Sequence, residues 1–149
     1  MTFPENSGWP EIREAQSRAA EAVPDTAVTI NLDLGEDNDL HPWDKKEVAY
    51  RAALAARGMV YKENIIYKGP VPISCSFDKA WVKITFDVRD EGSLMTWDGQ
   101  SPGEFFLAGR DMRFYPALCE LHGNQAILKS EEVREAGAVR YAWGNAPRQ

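Results

Sequence analysis

Several features that usually point to a function are scarce in this 149-residue chain, which has only two cysteines and two histidines. Cys75 and Cys119 match neither a metal-site spacing nor a dense disulfide framework, so they are interpreted as core thiols or as one bridge. Two distant histidines without cysteine pairs give no zinc signature, and no metal is expected. No apolar run approaches the roughly 18 residues that a membrane helix needs, so no membrane partner is expected.

Basic residues are also in the minority, since 17 lysines and arginines stand against 23 acidic residues, which gives a formal net charge of -6. The basic residues are scattered along the chain and form no stripe. A polyanion such as a nucleic acid is therefore excluded as an expected partner. The first residues form no charged-then-apolar leader, which leaves the compartment open.

Residues 1–67 are predicted to fold as a helix, a strand and a helix. Apolar positions at helical spacing predict a helix over 9–23, and the β-branched run 27–34 predicts a strand that ends at Gly35. A second helix is predicted over 42–57, with Gly58 as its stop. One strand cannot cover both faces of a sheet, so this part is interpreted as the end of a larger parallel α/β domain.

Residues 68–149 follow a different pattern, beginning with the breaker cluster Gly69-Pro70 and Pro72. Apolar side chains alternate with polar ones at Val82, Ile84, Phe86 and Val88. Further strands are predicted over 105–108, 117–122, 126–129 and 139–143, with turn residues between them. Short strands at this spacing predict an antiparallel β-sandwich domain.

His41 is the residue that points most directly to chemistry, because it follows the predicted strand in a loop that contains Asp33, Asp37 and Asp39. Histidine suits general-base work, provided that a carboxylate orients it and a hydroxyl or thiol lies within reach. No convincing nucleophile accompanies it. The alternative is that His41 begins the second helix and the acids cap that helix.

Several segments, in order along the chain, resemble the sialate O-acetylesterases, a family of the SGNH (GDSL-type) hydrolase superfamily. The matching segments are Trp9 to Gln16, Val28 to Gly35, Asp39-Leu40-His41-Pro42 with Lys45 and Arg51 following, Tyr67 to Pro70, Phe105 to Gly109 and Val139 to Trp143. The resemblance implies the C-terminal remnant of an SGNH-type parallel α/β domain followed by an antiparallel β-sandwich domain.

The resemblance also implies a cofactor-independent serine esterase that removes acetyl groups from sialic acid or related acetylated sugars, in a secreted or periplasmic setting. His41 would be the general base and Asp39 its orienting acid, with Asp33 and Asp37 as alternatives and a loop or capping role for Asp39 left open. Trp43 would lie at the substrate rim. The nucleophilic serine and the oxyanion donors would lie on an earlier segment that this chain lacks.

Other candidate residues are given structural interpretations. Gly99-Gln100-Ser101 imitates a nucleophile motif but is interpreted as a turn, because Pro102 and Gly103 follow it. His122 is interpreted as a hairpin residue, with a Cys119–His122 pair as a weaker nucleophile hypothesis. The tryptophans are interpreted as core rather than as sugar-stacking groups. Three arginines are interpreted as ion-pair or packing residues. The tryptophans concerned are Trp43, Trp81, Trp97 and Trp143. The arginines are Arg13, Arg51 and Arg140.

Two functions therefore remain: part of a carbohydrate O-acetylesterase, or a non-catalytic β-sandwich module that binds a partner or carbohydrate. A piece of a larger domain should expose the strand edge at Leu32 and Leu34 and the alanine face around Ala52. An independent module should be a compact, soluble monomer.

Overall fold

The computed structural model describes residues 8–35, 41–89 and 92–147. The helices in these residues are α1 (Trp9–Ala22) and α2 (Lys45–Met59). The strands are β1 (Val71–Asp78), β2 (Trp81–Asp87), β3 (Phe105–Ala108), β4 (Phe114–Pro116), β5 (Leu118–His122), β6 (Gln125–Lys129) and β7 (Ala138–Tyr141). None of the described helices is long and apolar enough to cross a membrane.

The chain divides into two compact units between Lys68 and Gly69. The first, here called the helical unit, contains the described residues up to 68 together with 144–147. The second, the β unit, contains the described residues between 69 and 143.

Helix α2 begins three residues later than the sequence predicts, because Asp44 is its N-cap and accepts a hydrogen bond of 2.9 Å from the backbone N–H of Glu47. An acid followed three residues later by Glu is a helix-start signal that the sequence displays. Helix α1 begins after Gly8, whose φ of 73° is the left-handed region that glycine tolerates.

The strand predicted over residues 27–34 is wrong. Residues 26–31 have no regular structure, and Leu32–Leu34 form a single 3-10 turn. A strand is defined by backbone hydrogen bonds to a neighbouring strand, and the described residues of the helical unit contain none. β-branched composition is a property of the segment itself, whereas a strand also needs a pairing partner from another part of the chain.

The β unit contains two antiparallel sheets, one with strand order β1-β2-β6-β5 and the other with order β4-β3-β7. The inward side chains of both sheets form one core, as the sandwich prediction requires. Val82, Leu107 and Leu128 are completely buried in that core, and Cys119 is 2% exposed. The alternation at Val82 and Ile84 is confirmed by burial, since both face this core.

Strand β1 begins at Val71 and so includes Pro72, which the sequence pattern assigns to a breaker cluster. It is an edge strand, pairing only with β2, and the register shifts between Pro72 and Ser74. Proline is tolerated at a sheet edge and beside a bulge, where its missing N–H is not needed. Every residue of β1 is exposed.

The helical unit has almost no core. Among its described residues only Pro10, Ala55 and Pro147 are buried. The face of α2 formed by small apolar residues, Ala49, Ala52, Ala53 and Ala56, is exposed. Of the positions expected to be uncovered in a piece of a larger domain, Ala52 is exposed, whereas Leu32 and Leu34 are partly buried.

Candidate functional site

His41 lies in the helical unit, shortly before the first residue of α2, and it is solvent-exposed. Trp43, the predicted rim residue, is 80% exposed beside it. Asp39 and Asp37 lie outside the described residues, so the orienting acid stays a prediction. His41 and Trp43, two residues apart, are thus both exposed.

The segment that follows His41 is fixed to the start of α2 by local hydrogen bonds. The Lys45 ammonium donates to the carbonyl oxygen of Pro42 at 2.9 Å, and the Lys45 backbone N–H donates to the carbonyl oxygen of Trp43 at 2.9 Å. Together with the Asp44 cap, these bonds define how the chain leaves His41 and enters the helix.

The segment that precedes the histidine loop is fixed to the same helix by Arg51. Its two terminal nitrogens donate to the two carboxylate oxygens of Asp33 at 2.7 and 2.6 Å, and Nη1 also donates to the carbonyl oxygen of Ile30 at 2.7 Å. Arg51 Nε donates to Glu47 at 3.2 Å. The guanidinium hydrogen bonds hold the pKa of the Asp33 carboxyl below its usual value, although its partial burial opposes this.

Asp33 was one of the alternative acids for His41, and the structure gives it a different partner. Both of its oxygens accept hydrogen bonds from Arg51 in a fork geometry typical of strong arginine–carboxylate pairs. The sequence interpretation of Arg51 as an ion-pair residue is confirmed.

Gly99-Gln100-Ser101 lies in a turn of the β unit, as predicted. Gly99 has a φ of 70°, and the Asp98 carboxylate accepts a hydrogen bond from the Gln100 backbone N–H at 3.0 Å. The Thr96 hydroxyl donates to the carbonyl oxygen of Gln100 at 2.7 Å. Ser101 is exposed in the irregular chain before β3, with no strand-to-helix transition of the kind that presents a nucleophile.

The Cys119–His122 hypothesis is wrong. Cys119 faces the core, where burial raises the pKa of its thiol to about 11, and a thiol that stays protonated is a poor nucleophile. His122 is exposed at the end of β5, where its ring lies 3.4 Å from Glu120, as expected of a hairpin residue. Both cysteines are free, so the bridge is also wrong, and Cys75 is exposed rather than in the core.

The prediction that the tryptophans are core residues is wrong for three of them. Trp97 is 90% exposed, Trp43 80% and Trp81 49%. Trp143 is half-buried and stacks on Arg140, whose guanidinium carbon lies 4.6 Å from that ring and 4.0 Å from the ring of Phe114. The sequence identifies aromatic residues but not what covers them.

The remaining arginines confirm their structural interpretation. Arg140 packs between the two rings just described, and Arg13 donates to the carbonyl oxygen of Gly144 at 2.6 Å. Burial lowers the pKa of Arg13.

A polar cavity of about 240 Å³ lies in the β unit, between the turn after β3 and the loop before β7. Its charged lining residues are Arg110, Asp111, Glu132, Arg134 and Glu135. No sequence signal indicated this cavity, because its two loops are separate along the chain. Within the described residues, no group of three or more acidic, histidine or cysteine side chains is placed to hold a metal ion.

Comparison with solved structures places the chain next to a carbohydrate acetylesterase. A crystal structure of such an enzyme from Xanthomonas citri superposes with a TM-score of 0.88 and 36% sequence identity, over 97% of this chain and 33% of that chain. No protein-family model matches.

Among curated sequences, the chain is similar to sialate O-acetylesterases. The protein of that name from Mus musculus is 29% identical over 154 residues, which cover 94% of this chain and 28% of the relative. The one from Pongo abelii is 35% identical over 156 residues, covering 95% of this chain and 29% of the relative. The predicted resemblance is thus confirmed over almost the whole chain, which spans less than a third of these relatives.

Proposed function

We propose that the chain is the C-terminal part of a carbohydrate (sialate) O-acetylesterase. His41 is the general base in this proposal, Asp39 orients it, and Trp43 lies at the rim of the substrate site. The nucleophilic serine belongs to a segment absent from this chain, so the chain by itself is expected to be inactive. The observation that carries the proposal is the likeness to a carbohydrate acetylesterase along 97% of the chain.

The lack of a core in the helical unit supports this proposal. The three residues that are buried among the described ones cannot offset the conformational entropy of ordering two helices. The exposed alanine face of α2 is suited to close packing against another element of secondary structure. Both features fit a unit that the rest of a larger α/β domain completes.

The chemistry assigned to this chain is proton transfer. The neutral His41 imidazole takes the proton of the serine hydroxyl as that oxygen attacks the acetyl carbonyl carbon, and then gives it to the departing sugar oxygen. In the second half of the reaction it takes a proton from water, whose oxygen attacks the acetyl-serine carbonyl carbon. It then gives that proton to the serine oxygen as the ester bond breaks and acetate leaves. The exposed position of His41 allows access from a separate segment.

A chimaera provides the sharpest test. The matching third of the Xanthomonas citri enzyme is replaced by this chain, and acetate release from an aryl acetate and from O-acetylated sialic acid is measured. We expect activity, and we expect His41→Ala to lower kcat by about 10⁴-fold or more, as removal of a triad histidine does. His122→Ala is the matched control and should leave kcat unchanged.

The isolated chain is assayed in parallel with its Ser101→Ala variant. Acetate release by the chain alone that disappears in both His41→Ala and Ser101→Ala would contradict a missing nucleophile. Full activity of the His41→Ala chimaera would contradict the assignment of the base.

A non-catalytic interaction or carbohydrate-binding module is the second candidate, favoured by one observation in the β unit. Met95 and Trp97 are 84% and 90% exposed on the connection between β2 and β3, where an exposed indole could stack on a sugar ring. Quenching of Trp97 fluorescence by acetylated sialosides, lost in Trp97→Phe and kept in Trp43→Phe, together with an inactive chimaera, would favour this candidate.

A further inference from the structure

We propose that Arg51 is a positioning residue for His41, holding in place the chain that leads into the histidine loop. This inference rests on the proposed function, because it matters for chemistry only if His41 is the base. The loop runs from Asp33 to Pro42, and each of these two residues is bound to a side chain of α2. Helix α2 therefore carries both ends of the loop.

The two attachments come from one helix, α2. Lys45 binds Pro42, and Arg51, six residues later, binds Asp33 and the backbone of Ile30. Six helical residues correspond to about 9 Å of helix rise. Asp33 and Pro42 are thereby both held on one helix, and His41 directly precedes Pro42 in the chain.

An arginine is needed for this task because one guanidinium serves four acceptors. Nη1 bridges the Ile30 carbonyl and one Asp33 oxygen, Nη2 takes the other Asp33 oxygen, and Nε is held by Glu47. Lysine keeps the charge but lacks the planar fork. The ammonium of a lysine could bind Asp33 alone, which leaves the backbone at Ile30 untethered.

A purely local role for Arg51 would not require these contacts. The pair with Glu47 lies one helical turn away and would stabilise α2 by itself. Asp33 and Ile30 lie 18 and 21 residues earlier in the chain, so their bonds to Arg51 fix one segment against another.

Histidine NMR of the whole chain tests the proposal directly. There are only two histidines, so His122→Ala assigns the imidazole signals of His41. We expect the His41 ring to give one set of signals distinct from those of free histidine. In Arg51→Ala these signals should broaden and move to the free-histidine positions, and Arg51→Lys should restore them only in part.

The matched control is Arg57→Ala on the same helix, where Arg57 pairs with Glu63. It removes an ion pair of α2 but no contact to residues 30–33, so the His41 signals should stay unchanged. Asp33→Asn should reproduce part of the Arg51→Ala effect. Far-UV circular dichroism identifies a variant whose helices have unfolded, and Asp33→Asn then serves as the second test.

His41 signals that are unchanged in Arg51→Ala, or moved equally by Arg57→Ala, would overturn the proposal. Full restoration by Arg51→Lys would overturn the need for the guanidinium fork. The chimaera assay tests the proposed function, whereas these NMR spectra test the positioning of His41 and do not depend on catalysis. An inactive chimaera with Arg51-dependent His41 signals would reject the esterase and keep the positioning.

Discussion

The ring of Tyr67 lies against the backbone of Gly58 so closely that a Cβ at position 58 would overlap the ring carbons. Gly58 was predicted to stop the helix, yet α2 continues to Met59. What position 58 requires is therefore the absence of a side chain, because Tyr67 packs where the Cβ would be.

Gly58→Ala should consequently destabilise the helical unit, although alanine normally favours a helix by about 1 kcal/mol over glycine. Overpacking costs about 1–3 kcal/mol, so we expect a net loss of about 1 kcal/mol in the free energy of unfolding. Urea unfolding followed by far-UV circular dichroism measures it. Gly69→Ala, where a Cβ meets open space, is the control. Restored stability in the Gly58→Ala/Tyr67→Ala double variant would confirm the cause.

The β unit offers two leucines on adjacent strands with opposite surroundings. Leu128 is completely buried and Leu118 is 76% exposed. Leu128→Ala should lower the free energy of unfolding by about 2–5 kcal/mol, whereas Leu118→Ala should change it by less than about 0.5 kcal/mol. Chemical denaturation compares the two. Similar losses in both variants would mean that Leu118 is covered in solution.

The two thiols should differ sharply in reactivity. Cys75 is exposed, whereas Cys119 is buried and its pKa is raised to about 11. A thiol reagent near neutral pH should label Cys75 in the folded chain and reach Cys119 only after urea unfolds it. Mass spectrometry with Cys75→Ser as the control identifies the labelled residue. Modification of Cys119 in the folded Cys75→Ser chain would contradict this prediction.

The Arg51–Asp33 pair should stabilise the helical unit only while Asp33 is ionised. Because the folded-state pKa of Asp33 is lowered, this contribution is present above the unfolded pKa of about 3.9 and is lost as the pH falls through the folded value. Asp33 and Arg51 are partly exposed, so the pair is expected to contribute at most about 1 kcal/mol.

Urea unfolding of the chain and of Asp33→Asn should therefore differ near neutral pH and converge in strong acid. Glu14→Gln is the control, since the Arg18–Glu14 pair lies on the surface of a single helix. A stability difference for Asp33→Asn that persists unchanged at low pH would contradict the linkage.

Sequence patterns predicted the elements whose causes are local. The run Phe105–Ala108 forms β3 at the predicted bounds. This strand pairs with β4 on one side and with β7 on the other. Residues 27–34 include the β-branched run Val28-Thr29-Ile30 but have no neighbouring strand among the described residues. A segment's own sequence determines its strand propensity, but the neighbouring strand with which it pairs comes from the rest of the fold.

The sequence points to His41 because histidine beside acids is a local signal, and its catalytic role stays a prediction. The sequence identified Arg51 only as an ion-pair residue, without its partners. Its attachment to Asp33 spans 18 residues and depends on how the chain returns to α2. Exposure of Trp97 likewise could not be predicted, since burial depends on what packs against a ring.

The hydrogen bond from Arg13 to the carbonyl of Gly144 has a consequence for how the chain can be divided. The β unit is one continuous stretch, whereas the helical unit takes its first residues and residues 144–147 from opposite sides of that stretch. A ribosome makes α1 first and the acceptor of Arg13 only after every strand is complete. Cutting at Lys68 would release the β unit intact but leave the helices without Pro147, one of their three buried residues.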